Sequence, residues 1–143
     1  MALDFDDQSL SAISVAPELA RELEPRSTPM LVEEGAVLFR QGDPPGHVYY
    51  VKSGEISLTI RASGNIIMRV SARTGSLLGL PSGITNEPFT MTAHTVRKAE
   101  ICRIDRAQFS GMMAENPQLN TNVLEILAAE VCAVRRAMAR FLG

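Results

Sequence analysis

Gly35-Ala36-Val37-Leu38-Phe39-Arg40-Gln41-Gly42-Asp43, followed by Val48-Tyr49-Tyr50-Val51-Lys52-Ser53-Gly54-Glu55-Ile56, decides the fold. Short runs of β-branched and aromatic residues alternate here with single glycines. Such side chains suit a pleated, half-buried surface, and the glycines permit tight corners between rolled strands. Working outward, Ile56-Ser57-Leu58-Thr59-Ile60, Ile66-Ile67-Met68-Arg69-Val70 and Ile101-Cys102-Arg103-Ile104 are further β-rich runs, with Gly46, Gly64 and Gly75 between them. Ala62-Ser63-Gly64-Asn65 reads as a hairpin turn, because Gly and Asn tolerate the positive φ it needs. Strands this short and evenly spaced predict a jelly roll or barrel over residues 29–104.

Helical patterns flank this β-zone. Residues 1–28 form an acidic, polar N-terminal segment with one short helix in Pro17-Glu18-Leu19-Ala20-Arg21-Glu22-Leu23. Pro17 suits the first turn, and Leu19 and Leu23 share a face. Residues 105–143 read as a helix pair. Asp105-Arg106-Ala107-Gln108 has the form of a capping box, opening a helix that ends near Glu115. Asn116 caps and Pro117 restarts a second helix over 117–142, with no internal glycine or proline. Its residues Leu124, Leu127, Val131, Val134, Met138 and Phe141 recur in steps of three and four, the seam of a coiled coil. No other helix of similar length is expected in the chain, so a symmetric homodimer is the economical partner for that seam. The alternative is a helix lying on its own sheet. Arg135, Arg136 and Arg140 read as a solvated face that favours the helix C-terminus.

Composition narrows the function classes. A chain of 143 residues holds one domain with a real core. The 45% hydrophobic and 21% charged fractions are those of a globular protein. A formal net charge of −2 argues against a general nucleic-acid or anionic-membrane binder. No apolar run approaches the roughly 20 residues that span a bilayer. Met1 to Asp7 carries Asp4, Asp6 and Asp7 without Lys or Arg, so it does not read as a secretory signal, and a cytoplasmic location is expected. Cys102 and Cys132 have no metal-type spacing and read as two buried structural thiols. His47 and His94 do not assemble a cupin-type metal cluster; a haem-ligand role for either is a minor alternative. There is no nucleophile elbow and no phosphate loop, and two cysteines cannot hold an iron–sulfur cluster. No catalytic residue, metal or cofactor is expected.

The stretch Leu78 to Val96, L-G-L-P-S-G-I-T-N-E-P-F-T-M-T-A-H-T-V, resembles the phosphate-binding cassette of cyclic-nucleotide-binding domains. That cassette runs F-G-E-x-A-L, a short turn, then R-S-A-T-V. The glycine and aromatic motifs above are similar to the opening of the same domains, which belong to the catabolite-activator superfamily. With the C-terminal helix pair, the resemblance covers about Pro17 to Phe141. It implies a mainly β fold, a double-stranded β-helix or jelly roll, with an N-terminal helix and a long C-terminal dimerisation helix.

The departures from that pattern bear on function. Gly79 falls on the family glycine, Thr90 on its serine and Thr92 on its threonine, but Leu80 stands in place of its glutamate and Phe89 in place of its arginine. In the family the arginine neutralises the cyclic phosphate and the glutamate accepts from a ribose hydroxyl. Removing one partner of a buried charge pair costs about 2–5 kcal/mol, so ordinary cAMP or cGMP binding is not expected. Arg69, Arg73 or Arg97 are candidates to restore the charge from elsewhere. Pro81 falls where the cassette helix would begin, a tolerable place. The diverged site comprises Leu78, Gly79, Leu80, Phe89, Thr90 and Met91, with Ile84 adding to an apolar lining. Either Phe89 folds inward and plugs the cavity, or an unknown apolar or aromatic small molecule occupies a remodelled pocket.

Transcription regulators of this superfamily continue into a helix-turn-helix domain; this sequence ends at Gly143, so no direct DNA binding by that route is expected. The reading is a non-catalytic regulatory module acting through a C-terminal helix dimer. Its rivals are a structural module with a plugged pocket, or the sensor half of a transcription regulator.

Overall fold

The computed structural model describes residues 14–142. Helix α1 (Pro17–Leu23) runs into a single 3-10 turn (Glu24–Arg26) and is followed by β1 (Thr28–Val32), β2 (Val37–Phe39), β3 (His47–Ala62), β4 (Asn65–Ala72) and β5 (Leu77–Leu78). Then come α2 (Leu80–Thr85), β6 (Thr92–Asp105), α3 (Arg106–Glu115) and α4 (Pro117–Leu142). All strand pairings are antiparallel, in the order β1-β6-β3-β4, with β2 added on β6 and β5 on β3. This is the expected jelly roll with flanking helices, wound around the two long strands β3 and β6.

The two runs Val48–Val51 and Ile56–Ile60, read as separate strands, belong to one continuous strand. The break between them is a set of register shifts against β6 at residues 51, 53 and 55. Gly54 makes the irregularity possible. Its φ is +98°, and a Cβ there would lie 2.7 Å from Ala99 Cα and from Lys98 O. No other residue type fits both constraints. Strand β1 and the first half of β6 carry Pro29, Lys98 and exposed polar residues, and no periodic signal marked them as strands in the sequence. At the β3–β4 hairpin, Ser63 (φ 52°) and Gly64 (φ 80°) take the left-handed positions, whereas Asn65 already belongs to β4.

The core is continuous, from Leu23 and Val48 through Ile56, Met68, Leu77, Leu80 and Ile104 to Phe109, Leu119 and Ile126. The helix starts are capped by the expected residues, though Asp105 acts as a simple N-cap without the reciprocal Gln108 bond of a capping box among the described residues. Asp105 accepts from Ala107 N at 3.2 Å, and Asn116 Oδ1 accepts from Gln118 N at 3.0 Å and Leu119 N at 3.2 Å. The N-terminal helix is tied to the C-terminal pair as well as to the core. Asn122 Oδ1 accepts from Ala16 N at 3.1 Å, and Arg26 pairs with Glu115 at 3.2 Å. Of the expected pair of buried thiols, Cys102 is buried but Cys132 is exposed, on the outer face of α4. The acidic residues Met1 to Asp7 lie outside the described residues.

Helix α4 has two apolar faces. Leu119, Val123, Ile126 and Ala137 are buried against the domain, so the helix does lie on its own core. The seam read from the sequence is offset from that face. Leu124, Val131 and Phe141 are exposed, while Leu127, Val134 and Met138 are partly covered.

Candidate functional site

The cassette is built from the end of β5, helix α2 and the loop into β6. Gly79 is the N-terminal residue flanking α2, with φ 80°, and Pro81 occupies the first turn, where a missing N–H costs nothing. The helix packs closely on β3, since a Cβ at Gly83 would lie 2.4 Å from Val48 Cγ2. It ends at Asn86, whose left-handed φ of 62° lets its N–H reach Ser82 O.

Two backbone hydrogen bonds fix the position of Phe89. Its N–H donates to Asp43 O at 3.0 Å, and its carbonyl accepts from Gly42 N at 2.8 Å. The β2–β3 turn therefore holds the cassette loop, and the ring is delivered inward. It stacks on Phe39 with centroids 4.1 Å apart and planes at 21°, and Phe39 in turn stacks on Tyr49 at 5.4 Å. Burial raises the Tyr49 phenol above its usual pKa, with Arg103 opposing. A Cβ at Gly79 would come within 2.8 Å of Phe89 Cε1, so the glycine and the inward ring are fitted to each other.

What remains beside the ring is a cavity of about 10 Å³, lined by Phe39, Leu58, Gly79, Pro81, Ser82, Phe89, Thr90, Met91 and Glu130. It has room for about one water. Of the residues singled out in the sequence, Gly79, Phe89, Thr90 and Met91 meet here. Leu78 and Leu80 do not. Both are fully buried in the core, Leu78 through pairing of β5 with Tyr49 and Leu80 at the start of α2. Ile84 also lies outside the lining.

No described Lys, Arg or His side chain lines the cavity. Arg69 and Arg73 are exposed, and Arg97 reaches 3.8 Å from Glu55 at the surface. The one ionisable group in the lining among the described residues is an acid that the sequence reading missed. Glu130 comes from α4, is 7% exposed, and has no hydrogen-bond or ion-pair partner among the described residues. Burial pushes its carboxyl up from the usual 4.5 to about 7. In the same lining, from α2, the Ser82 hydroxyl is buried and likewise without a partner. A signal for Glu130 existed in the sequence. Leu119, Val123, Ile126, Glu130, Ala133 and Ala137 form a second series in steps of three and four, and Glu130 is its one polar member.

Helix α2 is also joined to the C-terminal helices. Arg106, first residue of α3, donates from its guanidinium to Ile84 O at 3.5 Å and from its backbone N to Gly46 O at 3.0 Å. Among the described residues, no group of three or more His, Cys, Asp or Glu could hold a metal ion. None of the helices described is long and apolar enough to cross a membrane.

Comparison with known proteins agrees with this architecture. Residues 29–116 match the family described as cyclic nucleotide-binding domain. The sequence is 28% identical over 111 residues to the transcriptional activator protein anr of Pseudomonas aeruginosa, covering 77% of this chain and 44% of that protein. It is 29% identical over 101 residues to human patatin-like phospholipase domain-containing protein 6, covering 70% of this chain but 7% of that protein. The chain thus spans less than half of either relative. Among solved structures, the catabolite activator protein of Thermus thermophilus superposes with a TM-score of 0.75 at 21% identity, covering 89% of this chain and 60% of that one. The N-terminal domain of a transcriptional regulator from Streptomyces coelicolor gives 0.63 at 22%, with 90% of each chain covered. At these identities the two structures speak for the fold.

Proposed function

The chain belongs to the cyclic nucleotide-binding domain family, and from that premise we propose a regulatory module that does not take cAMP or cGMP in the family's usual way. The observation that carries this reading is the inward Phe89 ring, stacked on Phe39 in a cavity that no described cationic side chain lines. A cyclic phosphate brought there meets an aromatic face and the Glu130 carboxylate in place of an arginine. Like charge and missing donors both oppose it.

In this reading the module is non-catalytic and cytoplasmic, and it works by coupling the cassette to the C-terminal helices. Two contacts support the coupling. Arg106 joins α2 to α3, and Glu130 carries α4 into the cavity wall. A change in the cassette therefore alters the seating of α4, and the outer stripe of α4, from Leu124 to Phe141, serves as a homodimer seam that transmits it. The residual volume of about 10 Å³ favours a second reading, in which the pocket is permanently plugged and the domain acts only as an interaction module. The similarity to a transcriptional activator supports a third, the sensor portion of a transcription regulator.

The test is calorimetric titration with cAMP and cGMP. The wild-type chain is expected to bind neither up to millimolar concentration, while a folded Phe89→Arg variant, which sets a cation in the lining where the ring now lies, gains binding. Leu80 faces the core and is left unchanged. Micromolar binding by the wild type overturns the reading. A folded Phe89→Arg variant that still ignores both nucleotides removes the cassette assignment.

A further inference from the structure

The cavity beside Phe89 holds more polarity than a plug needs. A hydrophobic plug is complete with apolar walls, yet two uncompensated polar groups converge on this space from different elements. The Ser82 hydroxyl comes from α2, buried and unpartnered, and the Glu130 carboxylate comes from α4, buried beneath the same roof. A carboxylate withdrawn from water and left without a counter-charge is costly, and it is relieved only by a proton or by a cation. No described basic side chain lines the cavity to act as that cation. The remaining walls suit a cation that carries an apolar body, since Phe39 offers a π face and Met91 a polarisable sulfur.

We propose that this is a recognition site for a small protonated amine with a flat apolar body, with Glu130 as counter-ion and the Ser82 oxygen as hydrogen-bond acceptor. The assignment rests on the reading of the domain as a module that has given up cyclic nucleotides, and it names the ligand class of the same site. Size sets the mode of entry. The cavity of about 10 Å³ holds one water-sized species, so a larger occupant displaces the Phe89 ring from Phe39. The slot so vacated is shaped for a phenyl ring stacked on Phe39, and Glu130 and Ser82 lie along its wall to take the ammonium group. Displacement of Phe89 by the ligand's own ring is then the event that the cassette loop reports, through the hydrogen bonds to Gly42 and Asp43, to the rest of the β-roll.

The experiment is titration calorimetry of the full 143-residue chain with phenethylammonium, with 3-phenylpropionate as a probe of similar shape and opposite charge, and with cAMP. Wild type and Glu130→Gln are compared, and Phe89→Ala, with the slot already open, serves as the sensitised background; circular dichroism checks that each is folded. The expected result is saturable phenethylammonium binding, tighter in Phe89→Ala, weakened at least tenfold by Glu130→Gln in the same background, and no binding of 3-phenylpropionate. Equal binding of the two phenyl probes, amine binding indifferent to Glu130→Gln, or no amine binding in either wild type or Phe89→Ala overturns the proposal. Binding of cAMP by the wild type would instead remove the underlying reading of the domain, whatever the amine does.

Discussion

Gly79 leaves the space that Phe89 fills: a Cβ added at Gly79 would lie 2.8 Å from Phe89 Cε1. Helix α2 separates the two residues in the chain, and each constrains the other. Gly79→Ala meets both that ring and a φ of 80°, so we expect it to lose about 1–3 kcal/mol of stability. Phe89→Ala removes a buried stacked ring and should lose about 3–5 kcal/mol. In the double variant the ring clash is gone, and the losses should fall short of additivity by about 1 kcal/mol. Urea denaturation of the four proteins measures this. Strict additivity would mean that the ring does not occupy the space beside Gly79.

Glu130 predicts a stability that declines as the solution approaches neutrality. Its folded pKa is raised from 4.5 to about 7, so the folded state holds its proton after the unfolded state has released it. Below about pH 4.5 the group is neutral in both states and costs nothing. Between about 4.5 and 7 stability falls with rising pH, and above that window the penalty is constant, on the order of 3 kcal/mol. Glu130→Gln should erase this component and be more stable than wild type at pH 8. Parallel stability–pH curves for the two proteins would show that the carboxyl is solvated in solution.

Gly54→Ala tests the bend that lets one strand do the work of two. The substitution combines a φ of +98° with a Cβ 2.7 Å from the Ala99 backbone, so strain and overpacking add. We expect a loss of about 3 kcal/mol, with hydrogen exchange accelerated first along the β3–β6 ladder. A variant within about 0.5 kcal/mol of wild type would mean that the bulge relaxes freely.

The fold was legible because its signals are local and repeated. Gly35, Gly42 and Gly64, set between β-rich runs, mark the corners of rolled strands without any long-range information, and Gly54 marks the irregularity within β3. The helix restart at Asn116-Pro117 was equally plain, and Asn116 Oδ1 accepts from two backbone N–H groups of the first turn. The site was only half legible. The loss of the family charges at Leu80 and Phe89 can be read in one dimension. That Leu80 turns into the core rather than the cavity depends on how α2 leaves β5, which pattern does not encode. Glu130 was hidden for another reason: its helix carries two interleaved apolar series, and the more exposed one, from Leu124 to Phe141, has the cleaner hydrophobic members. The inner series contains a glutamate and two alanines, so it reads as background until the packing shows that it faces the domain. Strand β1 and the start of β6 escaped notice because their outward residues, such as Leu31 and Val96, break the alternation expected of a half-buried strand.

The outer stripe of α4 supplies the last prediction, and it bears on the homodimer. Leu124 is 49% exposed and Val131 is 44% exposed, two turns apart on the face that the domain does not cover. Neither side chain contributes to the core, so Leu124→Glu with Val131→Glu should leave the melting temperature of the isolated domain nearly unchanged. If the stripe is a seam, the same pair places four carboxylates in a two-fold interface, and self-association should weaken by well over tenfold, since like charges desolvated across an interface cost several kcal/mol. Light scattering coupled to size exclusion separates the cases. A wild-type dimer that becomes a folded monomer on double substitution supports the seam. A wild type that is already monomeric at micromolar concentration removes the homodimer from the proposed mechanism. A dimer untouched by the substitutions moves the interface off this stripe, and with it the idea that the seating of α4 over Glu130 is what a second subunit senses.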